Sequence, residues 1–145
     1  MRAEKDLTLE SSFNHWTPVT MRWSDTDALI HINNVAIAAY IEAARVAYYH
    51  DLMARAAVNG PRLDIVLVRL LVNYRKEFFY PGTVRVGTRL IGTGNTSVVS
   101  GYGVFVDGEA KATAECVNVF FDTQKRQKVV PPPALKAVLE AEMAA

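Results

Sequence analysis

Hydrophobic and polar positions along this chain fall into blocks, and the period changes from block to block. Across residues 35–52 apolar side chains recur in almost every helical direction, with Ala36, Ala39, Ala43 and Ala47 on a small side and Ile37, Tyr40, Ile41 and Tyr48 on a bulkier one. Only Glu42 and Arg45, flanked by Ala38 and Tyr49, add a narrow polar stripe. A helix apolar nearly all round must be buried, so this one is expected at the centre of the domain. Its alanine side would let another backbone approach closely or leave room for a ligand.

Gly60 and Pro61 should end that region, and beyond them the period drops to two. Residues 65–71 are apolar on both faces, which implies a layer on each side. Val72, Tyr74 and Phe78 then face one way and Asn73, Arg75 and Glu77 the other. Pro81-Gly82 turns the chain into a strand at 83–91, residues 92–95 turn it into another at 97–106, and Asp107-Gly108 is a two-residue hairpin signal. A last strand at 110–121 sets Ala110, Ala112, Ala114 and Cys116 on one face.

Upstream, residues 19–23 read as a strand entered at Pro18, and residues 1–16, without a period, as a loose arm. Pro131-Pro132-Pro133 precedes a short amphipathic helix at 134–143. A small-residue strand face complements a long apolar helix. The expected architecture is therefore α+β, one helix wrapped by about five antiparallel strands, as a single domain over residues 1–145.

Composition narrows the function. The chain has 145 residues, 50% of them hydrophobic, and a formal net charge of +1. That balance, with no long basic run, argues against nucleic acid as a partner. The single Cys116 excludes an internal disulfide and suits a reducing compartment. No signal-peptide core or membrane-length apolar segment is visible, so a cytoplasmic location without membrane association is expected. Metal ligands at useful spacing, a G-x-S-x-G elbow and a phosphate-binding glycine loop are all missing, which points to chemistry without a cofactor.

The candidate chemistry gathers ahead of the long helix, in Asp25-Thr26-Asp27-Ala28-Leu29-Ile30-His31-Ile32-Asn33-Asn34. Asn33 or Asn34 can cap the helix, whose unpaired amides and dipole favour developing negative charge. Two carboxylates precede that charge-stabilising end. On an extended backbone Asp25 and Asp27 would point the same way and one pKa of the pair would rise, or Asp25 would bond loop amides and hold the turn.

These residues, with Tyr40, Glu42 and Arg45 on the helix, resemble the signature of the hotdog-fold thioesterases of the 4-hydroxybenzoyl-CoA thioesterase type, D-x-D-x-x-G-H-V-N-N followed by an aromatic and E-x-x-R. Ile30 stands where that family usually has Gly, a position that a β-branched residue enters with difficulty if φ is positive. The resemblance implies a hotdog fold and hydrolysis of an acyl- or aroyl-CoA thioester, or one on an acyl carrier protein, with coenzyme A entering only as part of the substrate. Asp27 matches the catalytic acid, as base or nucleophile, and the backbone N–H near Asn34 the oxyanion donor. His31 could assist the leaving thiolate, and Glu42 is the second candidate acid, because other hotdog enzymes carry it on this helix.

Asp25 and Asn33 would border the substrate. Arg75, Lys76, Arg85 and Arg89 could meet the phosphates of coenzyme A, and the turn with Lys125, Arg126 and Lys128 is the preferred rim. An exposed sheet edge and a helix needing cover predict a homodimer or homotetramer with the site at the junction. A hotdog hydratase or dehydratase, and an acyl-CoA-binding protein without turnover, are the alternative functions.

Overall fold

The fold is seen in a computed structural model, which describes residues 2–58 and 62–145. Six antiparallel strands form one sheet: β1 (His15–Thr20), β2 (Leu63–Tyr74), β3 (Thr83–Thr93), β4 (Ser97–Val106), β5 (Glu109–Asp122) and the short β6 (Gln127–Lys128). Their order is β1-β3-β4-β5-β2, with β6 paired to β5. The long helix α1 (Asn34–Arg55) lies inside the curl of the sheet, and α2 (Pro133–Ala144) closes one end. This is the expected hotdog arrangement. The expected stop at Gly60 and Pro61 falls outside the described residues.

The core follows the sequence pattern. Ile37, Tyr40, Ile41 and Ala44 of α1 are buried with Val84, Val86, Tyr102 and Val104, and small Ala112, Ala114 and Cys116 of β5 let the helix approach. A second cluster joins Tyr48, Tyr49 and Leu52 to Phe120, Leu135 and Leu139. Ala110 departs from the expected face and clusters instead with Phe13 and Phe105. The ladder shifts there, with Val104 opposite Ala112 and Phe105 opposite Ala110, so Lys111 is an extra residue and the side-chain alternation reverses across it.

The strand expected at 19–23 is instead β1, residues 15–20, and Trp23–Asp25 form a 3-10 turn. Nor is the N-terminal arm loose. Phe13 is buried, and an added Cβ on Gly87 would come within 2.5 Å of its ring. Glycines 101 and 103 give the same clearance to Leu7 and Phe13. One aromatic side chain and a glycine seat anchor the arm, and neither has a period to read.

The opposite margin is bare. In β2 Val66, Leu67, Val68, Leu70, Leu71 and Tyr74 are all exposed, and on α1 Val35 is 80% and Val46 45% exposed. The polar stripe expected on α1 also splits: Arg45 and Tyr49 are buried while the Glu42 side chain stays 67% exposed. Within one chain, therefore, neither the helix nor β2 receives all the cover that its apolar pattern requires.

Candidate active site at the start of the long helix

Three short devices hold the loop. Thr26 and Ile32 form a bridge, His31 bridges Phe79, and the Ile32 N–H donates to Phe78 O at 2.9 Å. Inside this small hairpin the Ile30 N–H donates to Asp27 O at 3.0 Å and the Asp27 N–H to His31 O at 3.1 Å. Such a turn is completed by a residue in the left-handed region, and Ile30 takes that role with φ of 73°. The backbone shape that Gly would favour is thus kept without Gly.

Asn33 is the helix cap. Its side chain accepts from the Ala36 N–H at 2.8 Å, and its carbonyl accepts from Ile37 at 3.2 Å. Asn34 is then the first helical residue, and the amides of Asn34 and Val35 lie where no intrahelical acceptor can reach them. The cavity beside them, about 240 Å³, is lined by His31, Asn34, Ile37, Tyr74 and residues 75–78. Tyr74 hydroxyl reaches Asn34 O at 3.5 Å from the end of β2.

The two acids have opposite surroundings, because the 3-10 turn breaks the extended path that would have aligned them. Asp25 is 2% exposed and takes the Arg22 amide at 2.9 Å, the Arg22 guanidinium at 2.9 Å and the Tyr40 hydroxyl at 2.6 Å. Burial pushes its carboxyl up, but the bonds from Tyr40 and Arg22 outweigh that and hold it below the usual carboxylate range. Burial and the same bond push the Tyr40 hydroxyl well up. Both oxygens of Asp25 are thus engaged by its own chain, and the side-chain oxygen of Asn33 by the helix cap.

Asp27 is freer. Its side chain is 31% exposed, one oxygen accepts from the Leu29 N–H at 2.8 Å, and the other lies 3.4 Å from His31 Nδ1. His31 also stands 3.2 Å from Ile32 O and is the link between Asp27 and the cavity, which Asp27 itself does not line in a single chain.

The other candidates are dispersed. Glu42 pairs with Arg45 at 3.4 Å two turns down the helix and lines a different cavity. Lys125 and Arg126 are exposed on the turn after β5 and Lys128 on β6 just beyond it; Asp122 organises that turn by accepting from the Gln124 and Lys125 amides, each at 2.9 Å. Tyr74 pairs with Ala112 and Leu63 with Asp122, so this turn lies roughly 34 Å along β5 from the helix start of its own chain. The cations that the structure does bring to the helix start are Arg75 and Lys76.

The structure adds the hydroxyls of Tyr40, on Asp25, and Tyr74, on Asn34 O, to the surroundings of the loop. For Tyr40 the signal was an aromatic on the buried helix face two turns after the acid loop. Among the described residues no group of three His, Cys, Asp or Glu could hold a metal ion, and no helix is long and apolar enough to cross a membrane.

A family model for the thioesterase-like superfamily matches residues 21–139. The chain belongs to that family. No curated protein matches it. Among solved structures, one from Pseudomonas aeruginosa is 28% identical with TM-score 0.81, over 93% of this chain and 95% of the other. A Thermus thermophilus thioesterase complexed with coenzyme A and Zn is 27% identical, TM-score 0.76, over 92% and 96%. A DHNA-CoA thioesterase from Staphylococcus aureus, 23% identical with TM-score 0.78 over 89% and 90%, shares the fold. This thioesterase-family chain therefore carries the family's hotdog fold, with its acid loop closed by Ile30.

Proposed function

We propose that this protein hydrolyses the thioester of an acyl- or aroyl-CoA to a free acid and a thiol. Asp27 serves as base or nucleophile, and the amides at Asn34 polarise the carbonyl. The observation that carries this reading is the asymmetry of the loop: one acid is consumed by its own chain while the second stays accessible, beside a histidine that lines the cavity at the helix start. Coenzyme A bound by the Thermus relative supports the thiol half of the substrate. Arg75 and Lys76 at the cavity are the nearest cations for its phosphates.

A second copy completes the site in this proposal. β2 is an open edge, apolar on both faces, and two such edges pair antiparallel about a two-fold axis. That pairing sets the Leu63 end of one copy against the Tyr74 end of the other. It would carry the partner's Lys125, Arg126 and Lys128 towards this chain's helix start, where its own cannot reach.

The test is thiol release over a panel of acyl- and aroyl-CoAs, for the native chain and for Asp27→Asn, with mass determined by light scattering. Unchanged turnover in Asp27→Asn would move the chemistry elsewhere, with Glu42 the next candidate. A monomeric but fully active enzyme would remove the second copy from the site.

A further inference from the structure

Helix α1 lies closest to β1 and β3, and its looser approach to β2 leaves a cleft along that strand. The cavity at the helix start occupies one end. A second cavity of about 270 Å³ opens towards the other, with Arg45, Tyr49, Leu67 and Asn118 in its wall and Glu42 and Asp64 at its rim. On α1, Asn34, Ala38, Arg45 and Tyr49 follow one face. On β2, Tyr74, Val72 and Leu70 follow one face, and the irregularity between Leu67 and Arg69 keeps Leu67 on it. The two cavities therefore lie along the same margin between α1 and β2, one towards each end.

The far cavity is not apolar. Asn118 is 1% exposed, and its Oδ1 has no hydrogen-bond partner among the described residues. Arg45, 6% exposed, commits its guanidinium to two long contacts, Cys116 Sγ at 3.7 Å and Glu42 Oε2 at 3.4 Å. Both side chains are built into the core at a place where packing alone would favour apolar residues.

The chemistry of these groups selects among ligands. An orphan carbonyl oxygen needs a donor, which a carboxylate lacks, and a further anion would sit beside Glu42 and Asp64. An ammonium could satisfy Asn118 but offers nothing to Arg45. A hydroxyl donates to the first and accepts from the second.

Resting on the hydrolase reading above, we infer that Asn118 and Arg45 determine substrate choice, selecting an aliphatic acyl chain with a hydroxyl near its far end. Eleven residues of helix separate Asn34 from Arg45, a rise of roughly 16 Å. An extended chain spans that with roughly 13 bonds. Dodecanoyl chains are thus the right length.

The native enzyme should be assayed with 12-hydroxydodecanoyl-CoA, dodecanoyl-CoA, the mono-CoA ester of dodecanedioic acid and a hydroxylated acyl-CoA of half that length. The terminal hydroxyl is expected to raise kcat/KM by about 10-fold or more, through KM, and only in the long chain. Asn118→Leu should bring the two dodecanoyl values together, and Asn118→Asp, which keeps the acceptor, should retain the difference. Equal values in the native enzyme, a preference for the dicarboxylic chain, or a changed oligomeric state in Asn118→Leu with the preference intact would each overturn this inference and leave hydrolysis standing. Absence of thiol release from every thioester would instead overturn the hydrolase reading, and this inference with it.

Discussion

The acid loop has a foot and a tip, and they are built on opposite principles. At the foot, Arg22, Asp25 and Tyr40 bond one another around a carboxylate that is 2% exposed, while at the tip Asp27, Ile30 and His31 are bound mainly through backbone and remain accessible. A carboxylate surrounded by short bonds is well placed to hold a turn and poorly placed to react, because reaction would cost it those bonds. On the proposed function, one short segment separates the task of fixing geometry from the task of meeting a ligand. Their assignment can be broken residue by residue.

The largest effect is expected at the tip. In Asp27→Asn the side-chain oxygen still accepts from Leu29, so folding should be unchanged, while kcat falls by about 10³-fold with loss of the base or nucleophile. Thermal melting beside thiol-release kinetics separates the two. A variant that loses stability in step with activity would place Asp27 at the foot instead.

The distinction between foot and tip was only half legible beforehand. The two acids and the asparagine cap stand out by type and spacing, and apolar periodicity finds the helix and most of the sheet. Which acid is buried depends on a 3-10 turn at residues 23–25, where Trp23 looks like the end of a strand. Arg22 as the partner of Asp25 and Tyr40 as its donor are set by that turn. The same limit hid Ala110, whose face depends on one extra residue in a ladder, and Phe13, an aromatic seated on two glycines of neighbouring strands. Periodicity reports faces of regular elements. It is silent where a bulge, a turn or a single anchor decides.

The next effect is on stability, at the foot. Asp25→Asn weakens four charge-assisted bonds in a buried place and should cost about 2–3 kcal/mol. Its sign with pH follows from the direction of the shift. The folded carboxyl lies below its unfolded value near 3.9, so its contribution is complete above about pH 4 and lost as pH falls through the folded value. Denaturation across pH should show the gap between native and variant widest at neutral pH and closing in acid. Tyr40→Phe removes only one of the bonds, leaving that oxygen to the Arg22 amide, and should cost about 1 kcal/mol by urea unfolding. A larger loss of activity than of stability in either variant would bring the foot into the chemistry.

The smallest effect reverses sign. Ile30 is 74% exposed at φ of 73°, so its side chain gains little from burial while its backbone occupies a region that costs a non-glycine residue about 1–2 kcal/mol. Ile30→Gly removes that strain and adds freedom to the unfolded chain worth about 0.5–1 kcal/mol, for a net gain of about 0.5–1 kcal/mol. For a chain of this size that is a rise of about 3 °C in Tm. Stability that falls instead would mean that the isoleucine side chain is held by something a single chain does not show. Repeated across a range of protein concentrations with the mass followed by light scattering, the same substitution then tells whether the tip is covered by a second copy.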